Sequence, residues 1–261
     1  MISSIFIFLA AALISLLITL PVVWLLIYFK LGQPLRAEGP AQHQAKAGTP
    51  TMGGIGFILA ILVLWLVLID FDFHPQYLAL LFLFLAYAAI GLADDGLKIA
   101  RRQNLGLTFR EKILAQTAAA GLFAFALNLN LPLTLWTVFV IVGSANAANL
   151  TDGLNGLLAG TASIAFVAFA ILAAKLQMGE AALISLVMGG AVFAFLFFNF
   201  PKAKVFMGDV GSLALGAALA GLAIIMHKEL RLVIIGGVFV IEALSVILQV
   251  SFYKLFKRRI F

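Results

Sequence analysis

Four aspartates stand at the edges of apolar runs: Asp94 and Asp95 in Gly-Leu-Ala-Asp-Asp-Gly-Leu-Lys, Asp152 in Asn-Leu-Thr-Asp-Gly-Leu-Asn-Gly, and Asp209 in Phe-Met-Gly-Asp-Val-Gly-Ser. Adjacent carboxylates such as Asp94 and Asp95 repel, and a divalent cation or a shared proton relieves that repulsion. Lys98 lies one helical turn after Asp94 and can neutralise it in part; the plainer alternative is a solvated helix end. Asp152 and Asn155 are three residues apart, so a first helical turn would bring both side chains to one side. Gly153 and Gly156 would let backbone approach a ligand there, although Asn, Asp and Gly also favour an ordinary interhelical turn. Asp209, between glycines, could simply cap a helix, or hold Mg²⁺ while free backbone N–H groups face a phosphate. A fourth segment, Lys46-Ala-Gly-Thr-Pro-Thr-Met-Gly-Gly54, offers Thr51 as a helix cap and Lys46 as a compact cation for a phosphate. Carboxylates, lysines and glycines of this kind suit Mg²⁺-assisted chemistry on a phosphate or pyrophosphate. The glycine-rich P-loop pattern is absent. So is cysteine, which removes thiol nucleophiles and Cys-ligated zinc.

The elements that must position these residues are membrane helices. Of 261 residues, 64% are hydrophobic and 11% charged, and the mean hydropathy is +1.15. That excludes a water-soluble enzyme, a disulfide scaffold and a disordered tail. Nine apolar stretches approach the length a membrane helix needs: Ile2–Phe29, Gly54–Ile69, Tyr77–Ala93, Ile113–Leu127, Leu133–Ala148, Leu157–Ala174, Ala181–Phe198, Leu213–Met226 and Leu232–Tyr253. The expected fold is an all-α polytopic membrane protein of about nine transmembrane helices, with residues 1–261 forming one domain. Of the 17 lysines and arginines, only Lys175, Lys228 and Arg231 fall on one side of this arrangement. The positive-inside rule therefore puts the other side in the cytoplasm, with Met1 outside and Phe261 inside. All four motifs lie on that cytoplasmic face. The net charge of +6 is read as basic cytoplasmic loops and not as nucleic-acid binding. His43, His74 and His227 supply little for a histidine base, since only His43 is on the inner face. A transporter would carry its ionisable residues at mid-membrane, where only Glu242 qualifies.

Lys-Ala-Gly-Thr-Pro-Thr-Met-Gly-Gly (46–54), the Asp94–Asp95 pair, Asn-Leu-Thr-Asp-Gly-Leu (149–154), Val-Phe-Met-Gly-Asp-Val-Gly-Ser-Leu-Ala-Leu-Gly (205–216) and Gly-Gly-Val-Phe-Val-Ile-Glu-Ala-Leu-Ser-Val-Ile-Leu-Gln-Val (236–250) together resemble the phospho-N-acetylmuramoyl-pentapeptide transferases. Their order and spacing match across nearly the whole chain. These enzymes are a branch of the polyprenyl-phosphate sugar-1-phosphate transferases. The resemblance implies transfer of phospho-MurNAc-pentapeptide from its UDP carrier to undecaprenyl phosphate, giving lipid I and UMP for peptidoglycan synthesis, with Mg²⁺ required. It implies a bacterial inner-membrane protein working among membrane lipids on the cytoplasmic face, and it admits a homodimer. It assigns Asp209 to the metal, Asp94, Asp95 and Asp152 to catalysis with it, and Lys112 to the phosphates. Around the nucleotide it sets Lys46, Thr51, Asn149, Gly153, Leu154, Asn199, Phe206 and Ser212, with Phe206 suited to stack on uracil.

Two departures accompany the resemblance. Many members carry a second Asp where this chain has Asn155; its carbonyl can still accept the uracil N–H, without charge assistance. Members also continue beyond a basic patch into a His-rich loop and a tenth helix, whereas this sequence ends at Lys257-Arg-Arg-Ile-Phe261. The alternatives are a sibling transferase moving GlcNAc-1-phosphate, or an inactive homologue that binds carrier lipid or nucleotide without turnover.

Overall fold

Long apolar runs can satisfy their backbone in lipid only by hydrogen-bonding within a helix. The computed structural model, which describes residues 2–29, 32, 49–68, 74–101, 103 and 105–258, is built accordingly. Its ten described helices are α1 (Ile2–Tyr28), α2 (Gly54–Val67), α3 (Pro75–Arg101), α4 (Phe109–Ala126), α5 (Leu131–Thr151), α6 (Leu157–Lys175), α7 (Gly179–Asn199), α8 (Asp209–Ile225), α9 (Glu229–Ile235) and α10 (Gly237–Phe256). Six of them, α1, α3, α5, α6, α7 and α10, are long and apolar enough to cross a membrane; α2 and α8 are apolar but shorter.

Among the described residues each expected apolar stretch forms a helix, except that the ninth is divided. Gly236 ends α9 by donating its N–H to Leu232 O, and α10 restarts at Gly237. Two successive glycines weaken a helix at that point. The Phe239 ring lies close to where a Gly236 Cβ would be.

Helix α8 is the axis of the molecule. Every residue from Val210 to Ile225 is buried, and α3 and α5 flank it most extensively, with α2, α6 and α9 also against it. The α8 sequence permits this because it is rich in Ala and Gly, and small residues let helices approach closely where lipid gives no hydrophobic drive. At Gly216 a Cβ would lie 2.5 Å from Ser144 O, and the Ser144 hydroxyl donates to Gly216 O at 2.8 Å. Helix α7 packs between α6 and α1, α2 lies on α1, α4 bridges α3 and α5, and α10 rests on α5. The antiparallel course brings the start of α2, the end of α3, the start of α4, the end of α5 and the start of α8 to one end of the bundle. That end carries the described residues of the four motifs.

Candidate active site

Three carboxylates meet at this end. One oxygen from each of Asp94, Asp95 and Asp209 lies within 4.8 Å of the others, and the set could hold a metal ion. These are hard, anionic oxygen donors, the kind that Mg²⁺ or Ca²⁺ prefers. Two lysines share the space. The Lys98 ammonium reaches Asp94 Oδ2 at 2.5 Å, Asp209 Oδ2 at 3.1 Å and Asp95 Oδ1 at 3.5 Å. Lys112 donates to the same Asp209 oxygen at 2.5 Å and stands 3.8 Å from Asp94 Oδ2. Three carboxylates against two ammonium groups leave one net negative charge, which favours a cation. Lys98 is the site residue that the motif assignment left out; its i,i+4 spacing from Asp94 was the available signal.

Each carboxylate is fixed by a different element. Asp94 Oδ1 accepts the Leu107 N–H at 2.9 Å, tying the end of α3 to the loop before α4. Asp95 is fully buried, and its Oδ2 accepts the Val210 N–H at 3.2 Å. It therefore satisfies a free donor in the first turn of α8 and puts a negative charge at the helix's positive end. Asp209 Oδ1 accepts from Asn149 Nδ2 at 2.8 Å, and the same amide also donates to Ser212 Oγ at 2.8 Å. Helix α4 is aimed by a capping box: the Thr108 hydroxyl accepts from Glu111 N, and Glu111 Oε2 accepts from Thr108 N at 2.7 Å. Those bonds hold the Glu111 carboxyl below the usual carboxylate range and fix the turn that carries Lys112.

Close backbone approach makes the cluster possible. A Cβ on Gly91 would collide with the Asp209 carbonyl and the Val210 nitrogen. Gly208 adopts φ +79°, a conformation L side chains rarely take, and a Cβ there would lie 2.5 Å from Asp95 Oδ2. We expect Gly91→Ala to push α8 off α3, costing about 1–3 kcal/mol of stability. Lower thermal stability together with weaker divalent-ion binding would be the sign; unchanged values for both would show that the helices tolerate separation.

Residues 77–227 match the model of glycosyl transferase family 4. Across the wider chain, phospho-N-acetylmuramoyl-pentapeptide-transferases are close relatives. That of Bacillus pumilus is 46% identical over 252 residues, covering 89% of this chain and 78% of the relative. That of Bacillus subtilis is 46% identical over 269 residues, covering 95% and 83%. That of Geobacillus kaustophilus is 46% identical over 272 residues, covering 95% and 84%. The chain belongs to the phospho-N-acetylmuramoyl-pentapeptide-transferase family.

The transferase positions expected from sequence divide into three groups. Asp94, Asp95, Asp209, Lys112 and Asn149 converge as described. Thr51, Asn199 and Ser212 are buried and act within the protein. Ser212 donates its hydroxyl to Gly208 O at 3.1 Å. Asn199 accepts the Gly156 N–H at 2.7 Å and donates to Val205 O at 2.9 Å, clasping the α5–α6 loop to the segment before α8. Thr51 does not cap α2; the N-cap is Gly53, without a side-chain bond. The Gly53 and Gly54 N–H groups instead donate to Phe206 O and Met207 O, and Phe206 N donates to Pro50 O, so backbone pairing holds this entry to the Asp209 segment.

The third group lies on the loop from residue 152 to 156, which is a turn and not a first helical turn. Asp152 is the C-cap of α5, and α6 starts only after Gly156 at φ +75°. Asp152 is outside the 4.8 Å carboxylate group. Gly153 and Leu154 are exposed on the loop, and Phe206 is half-buried. Asn155 donates Nδ2 to Pro201 O at 3.1 Å, while its buried Oδ1 has no protein partner. Lys46 lies outside the described residues.

Proposed function

We infer that this protein transfers phospho-MurNAc-pentapeptide from UDP to undecaprenyl phosphate, releasing UMP and forming lipid I. The observation that carries the reading is the convergence of Asp94, Asp95, Asp209, Lys98 and Lys112 in a chain 46% identical to named transferases over most of its length. In this reaction an oxygen of the lipid phosphate attacks the sugar-linked phosphorus of the nucleotide pyrophosphate. The bond from that phosphorus to the bridging oxygen breaks, and UMP leaves with the electron pair. Both partners are anions, so catalysis is mainly positioning and charge screening.

Lys98 and Lys112 supply the mobile positive charge, moving their donors from Asp209 and Asp94 to phosphate oxygens as substrates enter. Asp94 takes any proton remaining on the lipid phosphate. Asp95 keeps α8, and hence Asp209, in place. Mg²⁺, when bound by Asp209 with its neighbouring carboxylates, would neutralise pyrophosphate charge and stabilise the leaving UMP. The protein is multi-pass, and the reading places it in the bacterial inner membrane with the reaction face in the cytoplasm, which the excess of lysine and arginine on that side of the sequence supports.

The Asn155 carbonyl, once uncovered by a shift of its loop, and the half-buried Phe206 ring would suit the two recognition features of uracil, its ring N–H and its face. We expect Asn155→Ala to raise KM for the nucleotide roughly tenfold with kcat within about twofold, since the contact is equal in ground and transition states. Steady-state kinetics over nucleotide concentration would show it, and an unchanged KM would remove Asn155 from the base subsite.

Donor identity is tested by UMP release from UDP-MurNAc-pentapeptide and UDP-GlcNAc side by side, with undecaprenyl phosphate and Mg²⁺. Preference for the muramoyl donor supports the reading. Preference for UDP-GlcNAc would move the chain to the sibling transferases, and nucleotide binding without release would make it an inactive binder.

A further inference from the structure

Gln116 has no part in the chemistry above, yet it joins three of the helices that carry it. It lies in α4 one turn from Lys112 towards the middle of the bundle, and it is fully buried. Its side-chain Oε1 accepts from Asn146 Nδ2 of α5 at 2.7 Å. Its backbone carbonyl accepts from the buried Tyr87 hydroxyl of α3 at 2.9 Å. Each partner is in helical register with a site residue. Tyr87 is two turns before Asp94 on α3, and Asn146 is one turn before Asn149 on α5. The layer Tyr87–Gln116–Asn146 therefore underlies the layer Asp94–Lys112–Asn149, helix for helix.

Stability alone does not account for this amide. Gln116 Nε2 is buried without a protein partner, a standing cost in a segment surrounded by apolar side chains. A leucine of similar size would avoid burying an amide there. What an apolar residue could not do is fix the rotation of α4 against α5 and α3. That rotation sets where the Lys112 ammonium stands relative to Asp209, and where Asn149 stands on the other Asp209 oxygen.

We propose that Gln116, through Asn146 and Tyr87, is a positioning residue for the transferase site, fixing Lys112 and Asn149 on Asp209. The inference rests on the transferase reading. Gln116→Leu should lower kcat ten- to fiftyfold while leaving KM for the nucleotide within about twofold. Tyr87→Phe, which removes only a hydroxyl, should lower kcat about threefold. In a Lys112→Met background, Gln116→Leu should cost several-fold less than it does in the wild type, because one of the two groups it positions is gone and only the Asn149 contact remains. A purely structural role would cost the same in both backgrounds.

A readout independent of turnover uses the absence of cysteine from the chain. Spin labels at Arg110→Cys and Leu150→Cys, both exposed on α4 and α5, report the distance between these helices in detergent-solubilised protein. Gln116→Leu should broaden or shift that distance distribution, and Asn146→Leu should do the same. An unchanged distribution, an unchanged kcat in an active enzyme, or equal losses with and without Lys112 would each overturn the proposal. If the wild type itself shows no turnover, the transferase reading fails, and the spin-label distances alone decide whether Gln116 positions α4.

Discussion

Asp209→Asn is expected to reduce turnover by about a thousandfold or more, equivalent to roughly 4 kcal/mol of transition-state stabilisation. The substitution is nearly isosteric and retains a carbonyl that can accept from Asn149, so the first turn of α8 should keep its place. What is lost is the charge that Lys98 and Lys112 share and that a cation would share with Asp94 and Asp95. With one carboxylate removed, the remaining two are balanced by the two lysines, and the net attraction for a divalent ion disappears. UMP release and Mg²⁺ titration, each on protein shown to be folded by its thermal transition, should both be affected. Retention of wild-type turnover would remove Asp209 from the chemistry.

The second large effect is expected at Lys98, the cation that touches all three aspartates. Lys98→Met keeps the apolar stem and deletes the charge. Asp94 and Asp95 are almost wholly buried, and removing one partner from such a group leaves uncompensated carboxylates at a cost on the order of 3 kcal/mol. Turnover should fall at least about a hundredfold, because a phosphate-screening charge is lost as well. The diagnostic sign is in the response to metal. In the variant, Mg²⁺ should raise the thermal transition by more than it does in wild type, since a divalent cation replaces the missing ammonium. An equal or smaller Mg²⁺ response would mean that the three carboxylates do not form a common cation site.

These charged groups were legible from sequence because carboxylates and lysines stand out at the ends of apolar runs. Asp94, Asp95, Asp209 and Lys112 meet although 115 positions separate Asp94 from Asp209, each standing near a helix end at the same end of the bundle. Position along the helices was harder to read. The turn at residues 152 to 156 depends on the positive φ of Gly156, and the break at Gly236 interrupts the helix within one apolar run; hydrophobic pattern encodes neither. Thr51 had the type of a cap but not the role, because the backbone of residues 50–54 pairs with the Asp209 segment instead. Gln116 and Asn146 are not legible in the sequence for a different reason: single amides within apolar stretches reveal their role only when the helices facing them are known. The buried ties made by Asn199 and Ser212 likewise needed the packing, since side chains that hold a loop and side chains that hold a nucleotide are of the same type.

Formation of lipid I at the carboxylate–lysine cluster is tested most directly by transfer of radiolabel from UDP-MurNAc-pentapeptide into butanol-extractable lipid by the purified 261-residue protein with undecaprenyl phosphate. The account predicts labelled lipid in equimolar amount to UMP, abolished by chelating Mg²⁺ and restored by adding it back. Folded protein that binds the nucleotide but transfers no label with Mg²⁺ present would contradict it.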